Sequence, residues 1–144
     1  MTKSSDGVFF LTGKDFTNAG SASSNLKGIL DDMGIPADIV RRAAIAAFEA
    51  EMNAIIYAVA GMMRYSITPE AVTVTLQDMG PGIPDISRAM QDGYSTGKGL
   101  GVGLPGARRL MDEFLVISAI GKGTTVTMTK WVNWHDGRRP VDGP

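Results

Sequence analysis

Several features that would point to particular chemistries are scarce in this sequence of 144 residues. It contains no cysteine, which excludes disulfides and thiolate metal sites and fits a reducing compartment. The single histidine, His135, lies in a polar stretch, which argues against a histidine-based triad or zinc site. No apolar run approaches the roughly 20 residues of a membrane span. A net charge of −1 gives no electrostatic reason to expect nucleic acid or a membrane surface as a partner. We therefore expect a soluble cytoplasmic domain.

The hydrophobic pattern predicts secondary structure of both kinds. Helices are expected over 21–33, 38–60, 84–90 and 102–113, and strands over 8–12, 62–67, 71–77, 115–120 and 124–131. Asp38 is expected to cap the long helix and Gly61 to end it. Because helices come early and the later strands follow one another, an α+β sandwich is favoured over a parallel βαβ array. Residues 134–144 are expected to form a flexible tail.

Two glycine clusters are the most informative feature of the sequence. The first is Asp78-Met-Gly80-Pro-Gly82, and the second, about twenty residues later, is Gly99-Leu-Gly101-Val-Gly103. Glycines at alternate positions let the backbone approach a ligand closely and adopt a positive φ. The N–H groups of a loop that leads into a helix form a seat for phosphate. The arrangement predicts a nucleotide site.

Other well-known glycine motifs do not fit this sequence. The segment from Gly101 to Gly106 matches the dinucleotide pattern, but the residues before it do not form the strand that this pattern requires. The segment from Gly93 to Lys98 resembles a P-loop but is one residue short, and Gly99 stands where a hydroxyl residue would hold magnesium. A eukaryotic-type kinase site is excluded because neither His-Arg-Asp nor Asp-Phe-Gly occurs.

Four motifs of this sequence, and the order in which they occur, resemble those of the GHKL ATPase superfamily. Glu49-Ala-Glu-Met-Asn53, the two glycine clusters and Gly123-Thr-Thr stand in the order of its Asn box, its two glycine boxes and its Gly-Thr box. The run from Asp78 to Phe114 is most similar to the RsbT-like switch kinases of the anti-sigma-factor serine/threonine kinase branch. The resemblance implies a two-layer α/β sandwich of the Bergerat type, with a mixed, mainly antiparallel sheet and helices on one face. Residues 1–133 would then form a single ATP-binding kinase domain.

The resemblance also implies roles at the adenine end of the site. Asp78 would accept a hydrogen bond from the adenine amino group, and Thr124 would support this contact through water. Gly80 and Gly82 would allow the close approach of the ligand.

At the phosphate end, the resemblance implies ATP and Mg²⁺ as cofactors. Asn53 would bind the magnesium ion, which keeps most of its ligands from phosphates and water. Glu49, one helical turn earlier, would be the general base for an incoming hydroxyl. The phosphates would lie against Lys98, Gly99, Leu100, Gly101, Val102 and Gly103. Arg108 or Arg109 could take the place of Lys98 at the terminal phosphate.

The function implied is that of an ATP-dependent serine/threonine protein kinase whose substrate is a STAS-domain protein in a partner-switching pathway. A sigma factor or a downstream phosphatase is a further expected partner, and a homodimer is left open. The alternative is a non-catalytic, nucleotide-gated anti-sigma factor, and a third reading is a detached catalytic domain of another phosphorelay. The branch typically has Ser-Glu-Leu-Ala-Arg-Asn where this chain has Phe48-Glu-Ala-Glu-Met-Asn53. Nucleotide binding therefore follows from the sequence more directly than phosphotransfer does.

Overall fold

A computed structural model describes residues 4–80 and 103–132. The elements in these ranges are β1 (Ser5–Thr12), α1 (Ser21–Asp32), α2 (Ala37–Tyr57), β2 (Ala60–Ile67), β3 (Ala71–Asp78), α3 (Gly103–Leu110), β4 (Glu113–Ala119) and β5 (Gly123–Trp131). The strands form one sheet in the order β1-β2-β3-β5-β4, and each neighbouring pair is antiparallel. The predicted α+β class with an antiparallel sheet is confirmed.

The core lies between the helices and one face of the sheet. On β3 the alternate residues Val72, Val74 and Leu76 are buried, whereas the threonines between them are only partly covered. This period of two is that of a strand with one face against a core. The helices contribute mainly leucines from α1 and alanines from α2 to the same cluster. The small alanine side chains let α2 lie close to both the sheet and α3.

The long helix α2 differs at both ends from the sequence prediction. It begins at Ala37, with Pro36 in the N-cap position. Asp38 therefore lies in the first turn instead of at the cap, where its carboxylate accepts hydrogen bonds from Arg41 and Arg42. The helix ends at Tyr57, and the predicted stop, Gly61, belongs to β2.

The early end of α2 has a tertiary cause, because the loop after β1 binds its last carbonyl groups. The N–H of Lys14 donates to the Ile55 oxygen at 2.8 Å, and its Nζ donates to the Ile56 oxygen. The N–H of Gly13 donates to the Val59 oxygen at 2.8 Å. The two bonds from Lys14 satisfy carbonyl groups that the end of a helix leaves without partners, and the bond from Gly13 holds the chain just beyond it. No sequence-local signal marks this end, because the partners come from more than forty residues away.

The third helix is also shorter than predicted. It ends at Leu110, because the residues that follow it join the sheet. The N–H of Asp112 donates to the Thr129 oxygen at 2.9 Å, and the Asp112 carboxylate accepts the N–H of Trp131 at 2.7 Å. The helix predicted over 84–90 and the tail predicted over 134–144 lie outside the described residues.

Across residues 4–80 and 103–132, no helix is both long enough and apolar enough to cross a membrane.

Candidate nucleotide-binding site

A row of register partners crosses the sheet at the end where β3 finishes. Gly61 on β2 pairs with Asp78 on β3, Asp78 pairs with Thr124 on β5, and Thr124 pairs with Ser118 on β4. Directly opposed residues of antiparallel strands point to the same face. Asp78 shares its face with the buried Leu76, so the row lies on the side of the sheet that the helices cover.

The carboxylate of Asp78 is held by two backbone amides. Its Oδ1 accepts hydrogen bonds from the N–H of Gly80 and the N–H of Thr124, each at 3.0 Å. The residue is 7% exposed, and no described residue donates a hydrogen bond to the second oxygen, Oδ2. One carboxylate oxygen is therefore fixed by two backbone amides, and the other has no donor among the described residues.

Two glycines pack closely against the backbone around this carboxylate. A Cβ on Gly80 would lie 2.9 Å from the Cα of Ala58 and 3.2 Å from Asp78 Oδ1. Gly123 has a φ of +84°, and a Cβ there would overlap the backbone oxygen of Asp78. Both positions require glycine for steric reasons, because the protein's own atoms leave no room for a side chain. The predicted close approach of a ligand at Gly80 stays a prediction. In the sequence, Gly123 stands out only as part of the Gly-Thr motif, and nothing there predicts its contact with Asp78.

Thr124 lies beside Asp78, as the motif order predicts. Its N–H binds the Asp78 carboxylate, and its hydroxyl lies 2.8 Å from the hydroxyl of Ser118. Ser118 Oγ also donates to the backbone oxygen of Gly123 at 3.2 Å. No motif in the sequence includes Ser118. The alternating pattern of β4 places Ser118 on one face of its strand, but it does not predict which residue of β5 lies opposite.

The helix α2 carries the other two predicted side chains, four residues apart on one face. Glu49 is 2% exposed, and its Oε1 accepts a hydrogen bond from the N–H of Gly103 at 3.2 Å. Its Oε2 is buried without a hydrogen-bond partner among the described residues. Burial raises the pKa of the Glu49 carboxyl, and the hydrogen bond from Gly103 opposes this shift. Asn53 is half-buried on the same helix.

Gly103 brings the start of α3 to this part of the site. It has a φ of +55°, a conformation that favours glycine, and it is the first residue of the helix. Arg108 and Arg109 lie in the last turn of α3, at the end away from Gly103. The other residues predicted to surround the nucleotide, namely Gly82, Lys98, Gly99, Leu100, Gly101 and Val102, lie outside the described residues.

A second glutamate on α2 has a structural role that the sequence did not reveal. Glu51 is fully buried, and its Oε2 accepts the N–H groups of Gly20 and Ala22 at 3.1 and 3.2 Å. Its Oε1 accepts the N–H of Ser23 at 2.9 Å. Glu51 thus satisfies the free N–H groups at the start of α1, which carries no side-chain cap of its own.

Within the two described ranges, no group of three or more acidic, histidine or cysteine residues is placed to hold a metal ion. The side-chain oxygen of Asn53 is of a kind that Mg²⁺ accepts as a ligand together with phosphate oxygens and water.

Comparisons with known proteins agree with this arrangement. A family model described as a histidine kinase-like ATPase domain matches residues 14–130. The serine/threonine-protein kinase RsbT of Bacillus subtilis is 51% identical over 63 residues, which are 44% of this chain and 47% of the kinase. An anti-sigma F factor of Caldanaerobacter subterraneus is 36% identical over 92 residues, which are 58% of this chain and 64% of that protein. The matches thus span less than two thirds of the length of these relatives.

A solved structure supports the fold independently. The RsbU and RsbW domains of a Mycobacterium tuberculosis protein align with a TM-score of 0.59 at 20% identity, over 86% of this chain and 31% of that one. The resemblance predicted from the motifs is confirmed, because the family model spans all four of them. The chain belongs to the histidine kinase-like ATPase domain family.

Proposed function

We propose that this protein is an ATP-dependent serine/threonine protein kinase that phosphorylates a small STAS-domain partner in a partner-switching pathway. One observation carries the proposal: Gly103 binds one oxygen of Glu49, and the second oxygen is buried without a hydrogen-bond partner among the residues that the structure describes. A buried carboxylate oxygen that lacks a hydrogen-bond partner is costly, so it favours a functional reason for the presence of this residue. Similarity to the B. subtilis serine/threonine-protein kinase RsbT and to anti-sigma F factors supports the same function.

The residues around Asp78 fit adenine. The backbone amides of Gly80 and Thr124 fix Oδ1 of Asp78, so Oδ2 of the same carboxylate is already oriented before a ligand binds. A carboxylate oxygen accepts a hydrogen bond, and the exocyclic amino group of adenine donates one. The close packing of Gly80 against Ala58 and of Gly123 against the Asp78 backbone supports the turn that carries this carboxylate. Asp78 would therefore select adenine over bases that present an oxygen at the same position.

The proposed roles at the phosphate end rest on α2 and on the start of α3. Asn53 would hold magnesium, and the positive end of the α3 dipole would favour the negative phosphates. ATP, when bound, supplies the phosphoryl group that is transferred. The rest of the proposed phosphate-binding loop consists of Lys98, Gly99, Leu100, Gly101 and Val102.

Glu49 would act on the substrate hydroxyl. It would accept the proton of a serine or threonine side chain and orient its oxygen for attack, as a general base does. The raised pKa of Glu49 brings this carboxyl closer to neutral pH, where a general base is most effective. Glutamine at this position keeps the size and one acceptor oxygen but cannot take a proton.

The test is phosphate transfer from γ-labelled ATP in a lysate of the organism that carries the gene. The wild type is compared with Glu49→Gln and with Glu70→Gln, which changes an exposed glutamate outside the site. We expect one small labelled protein with wild type and Glu70→Gln, and none with Glu49→Gln. Equal labelling by wild type and Glu49→Gln would show that Glu49 is not the base.

The role of magnesium is tested separately on Asn53. Calorimetric ATP binding is measured with and without Mg²⁺ for wild type and Asn53→Ala. We expect Mg²⁺ to tighten binding by the wild type and to have little effect on the variant. An equal response of both proteins to Mg²⁺ would remove Asn53 from the metal site.

The burial of Glu49 also supports a second candidate, a nucleotide-gated anti-sigma factor without kinase activity. At 2% exposure, its carboxylate is out of reach of a substrate hydroxyl unless the site opens. ATP binding with no labelled protein would favour this function. A pull-down of a sigma factor that depends on ADP or ATP would then identify the partner.

A further inference from the structure

We propose that Ser118 is a positioning residue that fixes the direction of the Thr124 hydroxyl and so helps the site to distinguish adenine from 6-oxopurines. The inference rests on the proposed binding of an adenine nucleotide at Asp78. It concerns a serine on β4 that belongs to none of the four motifs. Ser118 and Thr124 each carry a single hydroxyl proton, and the acceptors around them determine where each proton points.

The first bond of the chain has only one possible direction. The backbone oxygen of Gly123 can only accept, and it lies 3.2 Å from Ser118 Oγ. The single hydroxyl proton of Ser118 makes this bond. Once it is used there, Ser118 Oγ has only lone pairs left for other partners.

The second bond then has one direction as well. Ser118 Oγ and Thr124 Oγ1 lie 2.8 Å apart, an ordinary length for a hydrogen bond between hydroxyls. Because the Ser118 proton is used on Gly123, the proton between the two hydroxyls must come from Thr124. If Ser118 donated to Thr124 instead, the contact with the Gly123 oxygen would have no proton and one hydrogen bond would be lost.

The consequence concerns the oxygen that Thr124 presents beside Asp78. With its proton directed to Ser118, Thr124 Oγ1 can only accept further hydrogen bonds. Asp78 Oδ2, on the neighbouring strand of the same row, is also an acceptor. Two acceptors side by side suit an amino group, directly or through a water molecule. They oppose the 6-oxo group of hypoxanthine or guanine, which cannot donate.

Loss of the Ser118 hydroxyl would release this constraint. In Ser118→Ala, the Thr124 proton has no partner on β4, and the hydroxyl can rotate to donate towards the ligand. A 6-oxo group then gains a donor that the wild type does not offer. Asp78 still favours adenine, so selectivity should fall without disappearing.

The experiment compares the affinities for ADP and IDP by calorimetry. The two nucleotides share ribose and phosphates, so contacts to those groups cancel in the ratio of their dissociation constants. We expect the preference for ADP to fall about fivefold in Ser118→Ala, the equivalent of about one hydrogen bond. Ser118→Thr keeps a hydroxyl and should keep the preference. Ser66→Ala, which changes an exposed serine on β2, is the matched control.

A double-mutant cycle tests whether Ser118 acts through Thr124. Thr124→Val removes the hydroxyl but keeps the backbone N–H that binds Asp78. In that background, Ser118→Ala should not change the ADP to IDP ratio any further. If Ser118→Ala does not fold, Ser118→Cys replaces it, since a thiol is a weak donor of similar size.

The outcomes separate this inference from the proposed function. A wild type that binds neither nucleotide would overturn both. A wild type that prefers ADP, together with an unchanged ratio in Ser118→Ala, would overturn only the role of Ser118. An equal loss of preference with and without the Thr124 hydroxyl would also overturn it.

Discussion

The Glu49 carboxylate on α2 accepts a hydrogen bond from the backbone N–H of Gly103, the first residue of α3, at 3.2 Å. The two residues are 54 positions apart and belong to different motifs, so this bond joins the Asn box to the second glycine cluster. It also occupies an N–H that the sequence assigned to phosphate. The proposed base and one proposed phosphate donor are thus partners in the described structure, and a change in one is expected to affect the other.

The ionisation of Glu49 should appear in the pH dependence of both activity and stability. Because burial raises its pKa, the proposed base is protonated to a higher pH than an exposed glutamate, and phosphate transfer should rise as pH increases through that pKa. The folded state also binds this proton more tightly than the unfolded state. The contribution of Glu49 to stability is therefore greatest below the unfolded pKa and falls as pH rises through the folded one.

Urea unfolding of wild type and Glu49→Gln from about pH 4 to about pH 8 measures this effect. The free energy of unfolding of the wild type should fall relative to that of the variant as pH increases. Parallel pH profiles for the two proteins would mean that the pKa of Glu49 is the same in the folded and unfolded states.

Gly123 and Gly121 form a matched pair for a test of close packing against Asp78. Both have a positive φ, +84° and +79°, but a Cβ would overlap the Asp78 backbone only at Gly123. Gly121→Ala should cost about 1 kcal/mol of unfolding free energy from backbone strain alone. Gly123→Ala should cost clearly more and should also weaken ADP binding. Equal effects on stability and affinity would show that the contact with Asp78 is unimportant.

Asp78→Asn should weaken ADP binding while the fold persists. The amide oxygen of asparagine can still accept the N–H groups of Gly80 and Thr124, but its NH₂ group then faces the adenine amino group as a second donor. We expect about 10- to 100-fold weaker binding by calorimetry, the cost of an unpaired polar group. Asp38→Asn, on the exposed first turn of α2, should bind normally. Normal binding by Asp78→Asn would exclude it as the adenine ligand.

The two buried glutamates of α2 should behave in opposite ways. Glu51→Ala leaves the N–H groups of Gly20, Ala22 and Ser23 without their acceptor, and we expect a loss of about 3 kcal/mol in unfolding free energy. Glu51→Gln keeps one oxygen and should lose less. Below its melting temperature, Glu51→Ala should still bind ADP, whereas Glu49→Gln should stay stable and lose phosphate transfer. Similar losses of stability in both would contradict this division of roles.

Much of the fold followed from local patterns. The alternation in β3 and the apolar spacing of α1 gave their bounds to within a residue or so, because each pattern repeats with the period of its element. The ends of α2 and α3 were predicted too far along the chain. Lys14 and Thr129, which bind the backbone there, come from distant segments that no local pattern reveals.

For the site, the sequence determined which residues stand in the four motifs, and thereby the family and the placement of Asp78 beside Thr124. The glycines carry this information because only they allow such a close backbone approach. The tertiary structure decided the rest: that Glu51 binds the start of α1, that Gly103 binds Glu49, and that Ser118 stands next to Thr124. These contacts depend on strand register and helix packing, which bring together residues that have no fixed spacing in the chain.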